Sequence, residues 1–241
     1  MHEGTMTDPL QTTSDVAKAT EQVAKTAGQV VEASSKLGTF VAKYIDGPMQ
    51  LASGIVADKL AYMRWENQVD LMQRAEEKLR RAGLSSPTRA IPPKLAIPLF
   101  QAASLEDDAS FRDLWANLLV NGANATSGVD LTRAYIDILE SLTPLEAVIL
   151  QKMYALPFDS IQHGGAFTGY LPERAEPTPE GWQHDESLPR PSDSVVLALA
   201  NLARLGCVTL GRSWGGGEIF NSVNPTTLGR HFVSACTLRT D

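Results

Sequence analysis

Apolar residues recurring in steps of four and three run through the first third of this chain, and that spacing restricts it to long helices. From the first step they fall on Val16, Thr20, Val23, Ala27, Val30, Ser34, Leu37 and Val41, six of the eight apolar and most of them small. Glu21 and Lys25, then Glu32 and Lys36, stand four apart on the outer face, in the orientation that supports a helix. The cluster Thr12-Thr13-Ser14-Asp15 offers caps for its start. Asp46-Gly47-Pro48 breaks the pattern, and a second seam follows on Leu51, Ile55, Asp58, Tyr62, Trp65, Val69, Met72, Glu76 and Leu79. Gly83 supplies the stop. Two long seams across a tight turn predict an antiparallel helical hairpin over residues 1–90, its second helix roughly 50 Å long.

Such a hairpin either packs on the rest of the protein or acts outside it. The small stripe of Ala17, Ala24, Ala27, Gly28 and Gly38 permits close helix contact. Residues 14–45 form an amphipathic surface on which Val30, Val31, Leu37, Phe40, Val41 and Ile45 are the candidate contacts to a membrane or a partner. Acids and bases balance at 11 each over residues 1–90, so anionic lipid attracts this face weakly and delivery by a partner protein is expected.

The charge balance elsewhere narrows the function classes. Net charge is −7, with −4 over residues 91–156 and −3 over 157–241, and no segment is the basic patch that phosphate binding needs. Nucleic acid is therefore disfavoured as a partner. Hydrophobic residues make 43% of the chain and no apolar run reaches 18 residues, as expected of a globular protein without a simple spanning helix. Cys207 and Cys236 have no disulfide or CxxC spacing, and the opening MHEGTMTDPL is unlike a secretory leader. A cytoplasmic location is expected, with recruitment to a membrane in view.

Residues 91–142 read as a central helical core. Pro98 predicts a short or kinked helix over 94–103. Ser104-Leu105-Glu106-Asp107 has the form of a capping box, and Asp107 or Asp108 can cap the next helix. Phe111, Leu114, Trp115, Leu118 and Leu119 recur at helical spacing and belong to the core. The acidic trio Glu106, Asp107 and Asp108 suits a helix start better than a metal site, because no spaced ligand set accompanies it. Helices are expected at 130–141 and 144–155, the latter with Thr143 as cap and Pro144 in its first turn.

Five stretches together carry a resemblance: LGTFVAKYIDGP at 37–48, DKLAYMRWENQVDLM at 58–72, PTRAIPPKLAIPLFQAASLEDDASFRDLWANLL at 87–119, LTPLEAVIL at 142–150 and TLGRHFVSAC at 227–236. The chain resembles the abortive-infection alpha (Abi-alpha) family of bacterial proteins from about residue 37 onward. That resemblance implies a mostly helical cytoplasmic protein of phage defence and supplies no catalytic residues.

Residues 143–241 are expected to be a winged-helix-like module, a helix followed by one small β-hairpin near 207–223. Its last helix starts at Asn224-Pro225-Thr226-Thr227, and Phe232 and Val233 close the small core. A Pro/Gly-rich insert at 157–191 interrupts it, holding six of the fourteen prolines. Its Phe158, Phe167, Tyr170 and Trp182 favour partner binding, whereas His163, His184, His231, Cys207 and Cys236 lack zinc-ligand spacing. The helix SDSVVLALANLARL starts with Ser, Asp, Ser and then aliphatics, where base readout wants Arg, Asn, Gln or Lys. Arg204 and Arg212 are its candidate nucleic-acid contacts, and Gly215-Gly216-Gly217 is read as a turn with positive φ.

No nucleophile stands with a histidine and an acid in a recognisable motif, and Gly215-Gly216-Gly217 lacks the lysine and helix of a phosphate loop. The expectation is a mainly α, non-enzymatic defence effector without cofactor or metal. It acts through its amphipathic helices on a membrane or phage structure, with a sensor or partner protein and self-association in view. The alternative is a winged-helix scaffold or DNA-binding regulator of a defence system.

Overall fold

The computed structural model describes residues 38–45 and 65–238. The expected hairpin therefore falls largely outside the described residues. The chain divides into two compact units, residues 1–43 and 44–241. In the first, residues 38–43 are helical, with Phe40 and Val41 buried.

The second unit begins at Tyr44, whose carbonyl accepts from the Ile91 amide at 2.6 Å, while Ile45 forms a parallel bridge with Ile91. Helix α1, Trp65–Arg81, ends as its glycine predicts. Gly83 has φ +70°, its amide bonds Arg80 O, and the Leu84 amide bonds Leu79 O. These two bonds make a Schellman stop. The buried stripe of α1 is Gln68, Leu71, Ala75 and Leu79, joined by Asn67. This corrects the expected seam, since Glu76 is exposed and Val69 and Met72 only half-buried. An apolar count passes over Asn67 because its burial depends on a distant partner: its Nδ2 donates to Ser104 O at 2.9 Å.

Helix α2, Pro93–Leu105, starts on a proline and continues through Pro98 as one 13-residue element. The capping box expected at Ser104 does not form. Ser104 lies inside α2, fully buried, and its Oγ donates to Gln101 O at 2.7 Å. The cap of α3, Ala109–Gly122, is Asp108, whose carboxylate accepts from the Ser110 and Phe111 amides at 2.7 and 3.1 Å. Asp113 on α3 accepts from Arg74 at 3.1 Å and Lys78 at 3.0 Å, tying α3 to α1. Helices α4, Arg133–Ser141, and α5, Pro144–Tyr154, follow. Thr143 and Glu146 close a capping box at the start of α5. Trp115, Leu118, Leu119, Phe100, Ile136 and Ile149 are among the largest side chains with almost no exposed surface.

The C-terminal part runs α6 (Phe158–Ile161), β1 (Ala166–Phe167), β2 (Glu176–Pro177), α7 (Asp193–Arg204), β3 (Val208–Arg212), β4 (Glu218–Pro225) and α8 (Thr227–Ala235). A 3-10 turn at Trp182–His184 precedes α7. The strands form one antiparallel sheet in the order β2-β1-β4-β3. The hairpin expected near 207–223 is thus extended to four strands, two of them from the 157–191 insert. Two-residue strands have no alternating pattern to read. Gly165 allows this pairing: at φ +77° its site has no room for a Cβ, which would lie 2.6 Å from Val223 O. Thr168, fully buried, binds the other end of β1 to β4 through its amide to Asn221 O at 3.1 Å. In the hairpin tip only Gly216, at φ +82°, takes the positive φ expected of all three glycines. Thr226 caps α8 by accepting from the Gly229 amide at 2.9 Å. Phe232 is buried and Val233 only half-buried, so Phe232 alone of that pair closes the core.

Candidate functional site

Helix α7 turns Val195, Ala198, Leu199 and Leu202 inward, all buried. Its other face carries Asp193, Ser194, Leu197 and Arg204, all exposed. Leu197 is 73% exposed, at the middle of the helix. Arg204 is engaged: its Nε and Nη2 donate to Asn201 Oδ1 at 2.9 and 2.7 Å. Asn201 in turn donates through Nδ2 to Glu146 Oε1 at 2.8 Å, and Glu146 Oε2 accepts from the Thr143 amide at 2.6 Å. Glu146 is 3% exposed, and this chain of bonds satisfies a carboxylate that burial alone would destabilise. The guanidinium of Arg204 is drawn into a structural network at the α5–α7 contact.

The hairpin after α7 presents an aromatic side chain. The Ser213 amide bonds Gly217 O at 2.8 Å, and Ser213 Oγ accepts from the Gly217 amide at 3.1 Å, closing the turn. These bonds leave Trp214 fully solvent-exposed. Arg212 stands opposite Glu218 in the register of the strands, so the tip carries no net charge from this pair. At the base of the module, burial raises the Tyr154 hydroxyl above the ordinary phenol value, and it stays a neutral group. It donates to Cys207 O at 2.5 Å and accepts from the Thr226 amide at 3.0 Å, fastening α5, β3 and α8 together.

The residues singled out in the sequence are dispersed. Val30, Val31 and Leu37 lie outside the described residues. Phe40 and Val41 are buried and Ile45 is half-buried, so contact with a bilayer requires their exposure. Arg204 on α7 is bonded to the uncharged side-chain amide of Asn201, and Arg212 on β3 stands opposite Glu218 in the strand register. His163, His184 and His231 are exposed, whereas Cys207 and Cys236 are buried. Among the described residues no group of three or more His, Cys, Asp or Glu is placed to hold a metal ion. Sequence periodicity passes over Leu197, which reads as one more aliphatic of a buried helix. The Ser-Trp-Gly-Gly-Gly context of Trp214 is the visible signal for an exposed aromatic.

The described residues form a mainly helical protein with a small antiparallel sheet and apolar side chains displayed on its C-terminal part. The chain belongs to the abortive infection alpha family, whose model matches residues 66–236. The resembling stretch at 37–48 precedes the matched range. Family membership gives the protein a general role in abortive infection, a defence against phage. No curated protein and no solved structure matches the chain. Among the described residues, no helix is long and apolar enough to cross a membrane.

Proposed function

We propose that this protein is a non-enzymatic effector of abortive infection that works by binding, with its C-terminal module docking a partner protein. The order α5, α6, β1, α7, β3, β4, with β1 paired to β4, supports a winged-helix reading of that module. The observation that carries the docking role is Leu197, 73% exposed on the face of α7 where a DNA reader presents polar base contacts. Exposed Trp214 on the adjoining hairpin adds a rigid aromatic anchor of the kind that dominates protein interfaces. Arg204 bonded to Asn201 and Arg212 facing Glu218 leave a thin footprint for phosphates, which argues against the DNA-binding alternative.

In this reading the partner recruits the protein, and the amphipathic residues 14–45 then act on a membrane or phage structure. The step includes exposing Phe40 and Val41. The test is a plaque assay on cells carrying Leu197→Ser with Trp214→Ser. Protection should be lost while the melting temperature stays within a few degrees of the parent, since both side chains are exposed. Full protection by that variant refutes the docking role. Loss of protection instead with Arg204→Ala and Arg212→Ala, together with a salt-resistant shift of a specific DNA, favours the regulator. Charged substitutions at Val30 and Val41 test the effector step separately, by protection and by liposome leakage.

A further inference from the structure

The outward stripe of α7 repeats in steps of four, three and four: Asp193, Leu197, Ala200 and Arg204. At 3.6 residues per turn these four positions fall within about 60° of one another around the helix. Asp193, Leu197 and Arg204 are exposed and Ala200 is half-buried. Such spacing is that of a helix–helix seam, and here it faces solvent with Leu197 73% exposed near its middle.

The stripe is complementary to itself. A second copy of α7, laid antiparallel about a two-fold axis midway between positions 198 and 199, sets its Arg204 opposite Asp193 and its Ala200 opposite Leu197. Symmetry repeats both contacts, so acid meets base at each end and a large side chain meets a small one on either side of the axis. A parallel pairing would instead set Asp193 against Asp193 and Arg204 against Arg204, and like charges disfavour it. Among the described residues neither Asp193 nor Arg204 is in an ion pair. The Arg204 guanidinium is already held in place by Nε and Nη2 bonds to Asn201 Oδ1, at 2.9 and 2.7 Å. A carboxylate reaching its Nη1 group therefore immobilises little that was free.

We propose that α7 is a self-association surface whose occupant is a second copy of this chain, paired antiparallel. The inference rests on the reading of α7 as a docking face, and it leaves Trp214 on the hairpin to the recruiting protein. One helix pair is smaller than a standard interface, so the dimer is weak and follows concentration. Molecules gathered at one place by a recruiting protein pair, and scattered molecules stay apart.

Sedimentation equilibrium on the full chain, from low to high micromolar concentration, reads the dimer directly, and a monomer–dimer equilibrium is expected. Asp193→Arg sets base against base at both ends and should weaken pairing about tenfold, as should Arg204→Glu, which sets acid against acid. Mixed in equal amounts, the two variants should pair with each other at least as tightly as the parent, because every end contact is again acid to base. Leu197→Ser, which keeps both charges, should also weaken the dimer. Circular dichroism melting checks each fold, and should Arg204→Glu melt early, Asp193→Arg and Leu197→Ser decide. The inference is overturned by a parent that stays monomeric, by unchanged pairing in Asp193→Arg, or by two folded variants that fail to associate when mixed. A monomeric parent, with protection lost in Leu197→Ser with Trp214→Ser, leaves the docking role standing and gives α7 to a different protein. A dimer weakened by Leu197→Ser, with protection intact in that double variant, keeps self-association and removes the docking role from defence.

Discussion

Replacing Gly229 by alanine reverses the usual effect of that substitution. In a helix interior, Gly→Ala ordinarily stabilises by about 1 kcal/mol, because alanine loses less backbone entropy. Gly229 lies in the first turn of α8, buried, where an added Cβ would overlap Cys207 O and the Tyr154 hydroxyl and lie 2.8 Å from Tyr154 Cζ. Ordinary contact begins near 3.4 Å. The Cys207 carbonyl belongs to the chain entering β3 and cannot swing aside, so either Tyr154 leaves or α8 shifts. Loss of the Tyr154 bonds to Cys207 O and the Thr226 amide costs about 1 kcal/mol each, and the overpacking a further 1–3. After subtracting the helix gain, the net loss is about 2–4 kcal/mol. Urea denaturation followed by circular dichroism measures it as a lowered midpoint. Tyr154→Phe, which removes the hydroxyl but keeps the ring, should cost only about 1–2 kcal/mol. The double variant should cost less than the two singles added together, since the methyl then displaces no hydroxyl. Gly229→Ala at or above the parent's stability would refute the packing argument.

Trp115, 1% exposed, should cost about 3–5 kcal/mol on truncation to alanine, read from the same denaturation curve. Burial acts to raise the Asp113 carboxyl, but hydrogen bonds from Lys78 and Arg74 outweigh it and hold its pKa below the ordinary value of 3.8. A lowered folded value means stability that is present above the unfolded pKa and lost as pH falls through the folded one. The melting difference between the parent and Asp113→Asn should therefore be largest near neutrality and shrink below pH ~4. Burial, then the nearby Glu146, pushes the Cys207 thiol up to about 12, and burial followed by Cys207 raises Cys236 further. Neither should react with a thiol reagent at pH ~8 in the native protein, and both should react on unfolding, because the thiolate is the nucleophile.

Local signals were legible wherever a residue's role depends on its own neighbours along the chain. Gly83 stops α1, Asp108 caps α3, Thr143 and Pro144 open α5, and Trp115 sits at a helical spacing that demands a core. The apparent capping box at Ser104 failed for the same reason in reverse. Its letters fit, but α2 continues through them, and the buried Ser104 carbonyl is instead held by Asn67 from α1. The candidate surface was half legible. Trp214 in its glycine-rich setting advertises exposure, whereas Leu197 differs from Leu199 and Leu202 only by which face of α7 meets the core.

By itself the sequence determined a mainly helical chain, acidic and without a basic segment, with the Gly83 stop, the caps at Asp108 and Thr143 and the β-hairpin after α7 in place. These follow from periodicity, backbone preference and composition, which act over a few residues or over the whole chain at once. Tertiary structure alone decided the rest. It recruited Ala166–Phe167 and Glu176–Pro177 from the insert into the sheet, and it linked Arg204 through Asn201 to Glu146, residues 58 positions apart from end to end of that bonded chain. It also brought the ends of α1, α3 and α8 to one cleft. Each of these depends on groups far apart in the chain meeting at hydrogen-bond distance, and no local pattern of residues encodes such a meeting.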